Sequence, residues 1–516
     1  MSTTNLPASD FIASLQKSFQ EGSLEFLVGA GASIASGLPT WNELNRRLLS
    51  TFLAQEHSDL EFQSRDLDVA AQIFVDNFGR EAVVDVVRNK LKSDGRYLDM
   101  LRGALYLNGS KDVSSIHLEL AAILAASKST SSRRLNGLYT FNFDDLLERA
   151  AERLLGKVPE VIVAGERSAE PHVVHLHGYL PPPTSGKAPS GTVVLSEKDY
   201  HEARGDWASR KLDDLFTDEK KTVLMVGLSL ADPRLRGLLL ERVKLAQRNK
   251  PVAHVYALLS NSPPSPDAEL MERLARNFVR RHQEDFWASW QMHVLNIESH
   301  ELVPFYLRQI RLGSNGGTWA EKGEAFLRNN SPIFKDLYRE DVQRKALSVL
   351  EGMHSFLKRR FAVAQEEEIH IGGFVPAAGA VIQLGFRYRG GKDTDDIVTE
   401  SYAQSRRLSV ASLEQAQGVS GRAFLRGVTL EASSSPRLHD NFTEPMLETW
   451  TNDQLFSSML CVPIYDSVDW VPIGVIYLTS NRPSPFWAEL DSSQDYDTLE
   501  TLLRNTFTEV LRYAPI

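Results

Sequence analysis

Short, nearly continuous apolar runs recur through the first 300 residues and limit the possible folds more than any other feature. They span residues 24–28, 138–141, 161–163, 173–176, 193–195, 223–226, 255–259 and 293–297. Apolar runs of this length are typical of strands that are covered on both faces, as in a parallel sheet. Amphipathic stretches separate several of them; one places Leu235, Leu239 and Val243 on the same helical face. The alternation predicts an α/β fold with a Rossmann-like parallel sheet.

The chain has 516 residues, which predicts two or three domains. The sheet runs fall within residues 1–311, which we expect to form the first domain. Within it, residues 41–134 show helical periodicity and predict a helical insertion after the first strand unit. A polar, glycine-containing stretch begins at Leu312, and residues 312–345 are expected to form a linker and a connecting helix.

Residues 346–516 are expected to form a smaller α+β domain. Residues 458–465 and 472–478 are alternating runs, which predict neighbouring antiparallel strands. Residues 418–424 predict a turn that leads into a short helix.

Composition narrows the function classes. The formal net charge is −10, which argues against a protein that acts mainly by binding nucleic acid directly. Cys461 is the one cysteine, so an internal disulfide and a four-thiolate zinc site are both excluded. The N-terminus has no basic segment followed by an apolar one, and the apolar runs are too short to cross a bilayer. These features predict a cytoplasmic protein without a membrane partner.

A loop of small residues directly follows the first apolar run. Its members are Gly29, Ala30, Gly31, Ala32 and Ser33, here called the 29–33 loop. Glycine permits close approach of backbone N–H groups to an anion, and a following helix N-terminus would add partial positive charge. A diphosphate is the expected guest. The pattern departs from G-x-G-x-x-G because position 34 is Ile34, and a tight turn without a ligand is the alternative.

Polar side chains also follow the run that ends at Phe141. Asn142 can orient a water or a ribose, because its amide both donates and accepts hydrogen bonds. Asp144 can accept a hydrogen bond from a carboxamide. The alternative is that Asp144 caps the following helix. Ligands of open α/β sheets bind at the carboxyl ends of the strands, where this segment is expected to lie.

Two further strand ends carry candidate residues. His177 leaves a strand before Gly178 and suits a general base, because histidine titrates near neutral pH; a hydrogen-bonded structural histidine is the alternative. No further histidine, cysteine or acidic cluster adjoins it at the spacing of metal ligands, so no metal is expected. Gly227 and Ser229 are candidates for nucleotide contact, whereas Asp232 is explained as a helix cap.

In this order, the motifs resemble the sirtuin family, and specifically its bacterial, defence-associated branch. The matching segments are the 29–33 loop, Gly37-Leu38-Pro39, Asn142-Phe143-Asp144, His177-Gly178 and Gly227-Leu228-Ser229-Leu230. The resemblance covers about residues 20–300. It implies that NAD is bound, with the 29–33 loop on the diphosphate, Asp144 on the nicotinamide amide and Ser229 near the adenosine half.

Two departures from the deacylating sirtuins indicate the reaction. The four-cysteine zinc module of those enzymes is absent, and the segment 41–134 looks unlike their small domain. Both features favour the branch that resembles NAD glycohydrolases, which cleave NAD to nicotinamide and ADP-ribose and thereby halt phage replication. The resemblance implies that Asn142 positions the attacking water or the ribose and that His177 is the base. Many relatives act as assemblies, which implies a homo-oligomer.

Residues 346–516 weakly resemble a GAF domain, a class that senses small ligands or dimerises. This implies control by a small-molecule trigger or a partner protein, with a purely structural role as the alternative. Two other functions stay open for the whole chain: a protein deacylase or ADP-ribosyltransferase, and a non-catalytic sensor of NAD or ADP-ribose that gates a partner.

Overall fold

The structure is a computed structural model, and it divides into two units, Met1–Arg311 and Leu312–Ile516. The residues that it describes are 6–56, 64–78, 80–91, 94–107, 112–126, 135, 137–164, 172–202, 207–228, 230, 232–260, 270–313, 316–331, 333–389, 397–433, 457–466, 470–490 and 493–512. Ser229, a candidate from the sequence, lies outside them.

The first unit contains a parallel sheet, as the sequence predicts. Its strands are β1 (Leu24–Val28), β2 (Gly137–Thr140), β3 (Glu160–Ile162), β4 (His172–His175), β5 (Thr222–Val226), β6 (His254–Ser260) and β7 (Met292–Ile297). Within the described part of the chain they form one seven-stranded sheet in the order β3-β4-β2-β1-β5-β6-β7, and each neighbouring pair is parallel. The Rossmann-like fold class is therefore confirmed.

Helices cover both faces of this sheet, which explains why the strand sequences are apolar at consecutive positions. The helices are α1 (Ala8–Glu21), α2 (Trp41–Glu56), α3 (Ser64–Phe78), α4 (Arg80–Leu91), α5 (Asp94–Tyr106), α6 (Ser115–Ala126), α7 (Leu146–Leu155), α8 (Glu197–Glu202), α9 (Trp207–Thr217), α10 (Pro233–Gln247), α11 (Leu270–Ser289) and α12 (Val303–Leu312). Phe26 and Val28 of β1 pack in the core that contains α1, α6 and α12. Leu27 packs on the opposite face, in the core that contains α9 and α10.

The helical segment after β1 has a core of its own. Helices α2, α4 and α5 pack through residues such as Leu48, Val84 and Leu101, each fully buried. Helix α6 leaves this segment and packs on the sheet through Leu120 and Ile123. The segment thus brings the N-terminal end of α6 to the carboxyl edge of the sheet.

One predicted strand is absent from the described structure: residues 193–195 form no strand. The amide of Val194 donates to His177 O (3.0 Å), and the amide of Leu195 donates to Asp199 Oδ2 (3.1 Å). Since these amides bond to a loop and to a side chain, they are not available to a strand ladder. An apolar run of three residues does not indicate whether the segment forms a strand or a loop.

The second unit is an antiparallel α/β structure. Its strands are β8 (Ile369–Ala377), β9 (Val381–Tyr388), β10 (Arg407–Ser409), β11 (Leu430–Ala432), β12 (Ser458–Tyr465) and β13 (Pro472–Ser480), and its helices are α13 (Gly316–Asn330), α14 (Glu340–Arg360), α15 (Glu400–Ser405), α16 (Gly418–Arg426) and α17 (Ser493–Arg512). Among the described residues the strand order is β10-β9-β8-β13-β12-β11. The antiparallel pairing of β12 with β13 is the predicted one.

The segment 312–345 differs from the expected linker. It contributes α13 to the second unit, and Trp319, Ala320 and Leu327 of this helix are buried. Tryptophan and leucine at helical spacing supply an apolar face that a solvated linker does not need. The polar residues around Gly316 hid this periodicity.

Candidate functional site

The candidate residues lie in the segments that follow β1, β2, β4 and β5, four adjacent strands of the parallel sheet. After β1, the chain forms β2, β3 and β4, which all lie on one side of β1 in the sheet. It then forms β5, which pairs with β1 on the other side. The carboxyl ends of β1 and β5 are therefore the topological switch point, where open α/β sheets leave a crevice for ligands. The 29–33 loop and Gly227 lie at this point.

The glycines of these two segments allow the backbones to touch. The amide of Gly31 donates to Gly227 O (2.8 Å), and the amide of Gly29 donates to Val226 O (2.9 Å). A Cβ on Gly31 would lie 2.8 Å from Gly227 Cα, and one on Gly227 would lie 2.4 Å from Ala32 N. Gly227 also has a φ of +67°, which disfavours any side chain.

These contacts give the glycines a packing role before any ligand is considered. The amide of Ala32 is engaged as well, because it donates to Gly29 O (3.0 Å). A 3-10 helix, Ala30–Ser36, starts here, and Ala30 is its exposed first residue. The N–H groups of Gly29, Gly31 and Ala32 are thus used within the protein, and binding of a diphosphate by the loop remains a prediction.

The side chain of Ser33 joins the 29–33 loop to the segment after β2. Its hydroxyl donates to Asp144 Oδ2 (2.9 Å) and accepts from Asn142 Nδ2 (3.0 Å). His117 Nε2 lies 3.2 Å from the same oxygen. All four side chains are at least nine-tenths buried, so these bonds are shielded from competing water.

Burial also shifts the titration of this network. Burial raises the pKa of Asp144 to about 6, although hydrogen bonds from Ser33 and from the Leu146 amide act to lower it. Burial lowers the pKa of His117 to about 3, and the positive charge of Arg149 acts in the same direction. At neutral pH, Asp144 is therefore ionised and His117 is neutral.

Asp144 supports the helix α7 as well as the network. Its Oδ1 accepts from the Leu146 amide (3.2 Å), while Asp145 is the residue at the N-cap position and makes no side-chain cap bond. Both carboxylate oxygens of Asp144 thus accept hydrogen bonds from the protein. Contact between Asp144 and a nicotinamide amide stays a prediction.

His177 lies beside Phe141, the residue before Asn142. Its ring stacks on Phe141, with centroids 4.3 Å apart and planes 11° from parallel. Its Nε2 lies 3.7 Å from Asp232 Oδ2, while Asp232 Oδ1 caps helix α10 by accepting from the Leu235 amide (2.8 Å). The predicted capping role of Asp232 is correct, but the carboxylate also faces the candidate base. We refer to the 29–33 loop, residues 142–144, His177, Gly227 and Asp232 as the strand-end cluster.

A buried ion pair lies behind this cluster. His175 Nδ1 is 2.8 Å from Asn142 O, and His175 Nε2 is 2.7 Å from Glu148 Oε1. Burial by itself would lower the pKa of His175, but the Glu148 carboxylate reverses this and raises it above the usual value. The pair links β4, the segment after β2 and α7.

Sequence reasoning misses Ser114, His117 and Glu148. Ser114 and His117 stand at the start of α6, and no spacing relates them to the loops of the sheet. A faint signal exists for Glu148, which stands among Leu147, Ala150 and Ala151 on the buried face of α7. A charged residue on an apolar helical face indicates a partner inside the protein.

The fold and the strand-end cluster define the first unit as a parallel α/β domain of the kind that binds ligands at its switch point. Within it, residues 136–295 match the family model described as SIR2-like domain. The matched segment contains Asn142, Asp144, His177 and Gly227, whereas the 29–33 loop precedes it. No curated protein matches the chain.

Solved structures with partial likeness include a Sir2 homologue in complex with NAD, at 16% identity, 58% of this chain, 93% of that chain and a TM-score of 0.27. Another is a type II free methionine-R-sulfoxide reductase from Thermoplasma acidophilum, at 15% identity. The match covers 34% of this chain and 99% of that chain, with a TM-score of 0.21. A third is the GAF domain region of a protein from Geobacter sulfurreducens PCA, at 15% identity. The match covers 33% of this chain and 93% of that chain, with a TM-score of 0.21. In the described part of the chain, no helix is long and apolar enough to cross a membrane.

Proposed function

We propose that the first unit binds NAD as a substrate and hydrolyses the bond between nicotinamide and ribose. The observation that carries this proposal is the strand-end cluster. Gly31 contacts Gly227, Ser33 binds both Asn142 and Asp144, and the Phe141 ring stacks on His177. Four strand ends thereby converge at the switch point of a parallel sheet. The SIR2-like match over residues 136–295 supports NAD as the ligand.

The proposed reaction consumes one water and releases nicotinamide, ADP-ribose and a proton. The C–N bond breaks with its electron pair leaving on nicotinamide, and the ribose carbon becomes oxocarbenium-like. Water then adds to this carbon and gives up a proton to a base. Asn142 orients the water or the ribose, and His177 accepts the proton, with the Asp232 carboxylate 3.7 Å from its Nε2 to stabilise the positive ring. A buried, preorganised site favours this step because bulk water is excluded.

The proposal is tested by supplying NAD alone to the purified chain and measuring nicotinamide release. Asn142→Ala and His177→Ala should each lower turnover by about 100-fold or more, since a positioned base contributes roughly 10²–10⁴-fold. Asn330→Ala is the matched control, because Asn330 is exposed and in the second unit. Full activity in either site variant would refute the assignment of that residue.

We further propose that the second unit restrains the activity and that the chain acts in bacterial defence against phage. Unrestrained hydrolysis would exhaust the NAD of the host cell. A pocket in the second unit is lined by Arg387, Tyr402, Arg406 and Tyr477 among others, and is our candidate for the site of a small-molecule trigger. Cells that express the wild-type chain should yield fewer phage than cells that express Asn142→Ala. Equal yields would contradict the defence role.

A further inference from the structure

His117 makes a contact with Ser33 that the proposed reaction does not yet explain. It stands at the start of α6, in a different segment from every residue of the strand-end cluster. Its side chain is fully buried, and its Nε2 lies 3.2 Å from Ser33 Oγ. Burying an imidazole costs free energy unless both nitrogens find suitable partners.

The partners of His117 determine which nitrogen carries the proton. The amide of Ser114 donates to His117 Nδ1 (3.2 Å). The Ser114 hydroxyl lies 2.8 Å from the same atom and 3.3 Å from Ala32 O, to which it donates, so the backbone amide alone decides the role of Nδ1. An N–H donor facing Nδ1 requires Nδ1 to be an acceptor. In the neutral ring the proton is then on Nε2, so His117 donates to Ser33 Oγ. The low pKa of His117 keeps the ring neutral across the physiological range.

This proton fixes every other hydrogen bond of Ser33. A hydroxyl has one hydrogen and two lone pairs. The lone pairs accept from His117 Nε2 and from Asn142 Nδ2, so the hydrogen points to Asp144 Oδ2. Asp144 is ionised at neutral pH and accepts it. No member of the set is left with two donors or two acceptors face to face.

The arrangement orients the amide of Asn142. Because Nδ2 donates to Ser33, the carbonyl oxygen Oδ1 is the free end of the side chain. Among the described residues, nothing donates a hydrogen bond to Oδ1, and Asn142 is 7% exposed. An acceptor at this position can hold the hydroxyl of a water or of a ribose.

We propose that His117 is a positioning residue: through Ser33 it fixes the side-chain amide of Asn142 with Oδ1 toward the substrate. This inference rests on the proposed NAD hydrolysis for its kinetic consequence and on the hydrogen-bond geometry alone for its structural part. Without the His117 donor, Asp144 and Asn142 alone hold the Ser33 hydroxyl, and the amide of Asn142 is less firmly oriented.

Two substitutions separate positioning from a merely structural role. His117→Gln places an amide near the Nε2 position and keeps a donor to Ser33, whereas His117→Asn reaches only the Nδ1 position and keeps the contact with Ser114. We expect His117→Gln to retain kcat within about 3-fold and His117→Asn to lose about 10- to 100-fold, with KM changed little. A residue that only supports the fold predicts the opposite order or equal values.

His172→Asn is the matched control. His172 is a fully buried histidine at the amino end of β4, at the opposite edge of the sheet from Asn142. It should lower the melting temperature without the loss of kcat seen for His117→Asn. Equal kcat in the two His117 variants, or an equal loss in His172→Asn, would overturn the positioning role.

A second measurement does not depend on turnover. Nitrogen chemical shifts of ¹⁵N-labelled histidine, with the His117 signals assigned by their loss in His117→Gln, report the tautomer directly. His117 should stay neutral with its proton on Nε2 from pH 5 to 8. A proton on Nδ1, or titration in this range, would overturn the inference. If the tautomer is as expected but the wild-type chain releases no nicotinamide, the proposed function fails and the hydrogen-bond assignment stands.

Discussion

Replacing Gly227 by alanine tests the close contact between the two glycine segments. A Cβ at this position would lie 2.4 Å from Ala32 N and 2.9 Å from Gly31 C, both backbone atoms that cannot rotate away. The 29–33 loop would have to move by about 1 Å to restore an ordinary contact distance. Its hydrogen bond from the Gly31 amide to Gly227 O would weaken as a result.

Gly156 is a control with the same backbone conformation. Both glycines have a φ of +67°, but a Cβ on Gly156 would meet nothing within 4 Å. Alanine in the left-handed region costs about 1–2 kcal/mol at either position. Gly227→Ala adds overpacking of about 1–3 kcal/mol and about 1 kcal/mol for the weakened hydrogen bond. We therefore expect a total of about 3–6 kcal/mol for Gly227→Ala and about 1–2 kcal/mol for Gly156→Ala.

Thermal melting and NAD binding by calorimetry measure the two parts of this prediction. At about 2–4 °C per kcal/mol for a unit of this size, Gly227→Ala should melt roughly 10 °C lower and Gly156→Ala only a few degrees lower. Gly227→Ala should also lower the affinity for NAD by about 10-fold or more, because the loop is displaced. Equal melting temperatures for the two variants, with NAD affinity intact in both, would refute the account of the contact.

Three further predictions concern stability and reactivity. The folded pKa of Asp144 is raised to about 6, so the folded chain binds this proton more tightly than the unfolded chain does, and the group stabilises the fold as the pH falls through 6. When the pH is lowered from 7.5 to 5, the free energy of unfolding of the wild type, measured in urea, should rise by about 1.4 kcal/mol relative to that of Asp144→Asn. No relative rise would contradict the raised pKa of Asp144. Glu119→Ala should lower the free energy of unfolding by about 3–5 kcal/mol, because it leaves the buried Arg308 and Arg311 without their shared carboxylate. Glu21→Ala breaks an exposed pair with Lys17 and should lower it by less than about 1 kcal/mol. Equal losses would be inconsistent with burial as the cause. Burial raises the pKa of the Cys461 thiol to about 12, so a thiol reagent should label the chain only in denaturant, and fast labelling of the native chain would show that the site is open.

The sequence predicts the parallel sheet because its strands must be apolar on both faces. Runs such as 223–226 satisfy this requirement without help from distant residues, and they form strands. The run 193–195 satisfies it too, yet its amides bond to His177 O and to Asp199, which no local pattern encodes. In residues 312–345 the sequence predicts too little structure. Glycines and polar residues near the start of α13 interrupt the apolar periodicity, although the helix has a buried face that contains Trp319.

The candidate site divides in a similar way. Asn142, His177 and the glycines follow strands directly, so the rule that ligands bind at the carboxyl ends of strands places them at one edge. His117 reaches the same edge through the helical segment after β1, and its place depends on the packing of α6 against the sheet. The use of the Gly29, Gly31 and Ala32 amides within the protein also depends on tertiary contacts and could not be predicted.

The most direct test of the proposed function is the product balance when NAD is the sole substrate. Wild-type chain should release nicotinamide and free ADP-ribose in a 1:1 ratio with no peptide or acceptor protein added, and Asn142→Ala should release both more slowly, by about 100-fold or more. Nicotinamide release that requires an acylated peptide, or ADP-ribose found attached to protein, would contradict hydrolysis. Tight binding of NAD with no nicotinamide released, in the presence or absence of extract from infected cells, would contradict catalysis altogether and favour a sensor.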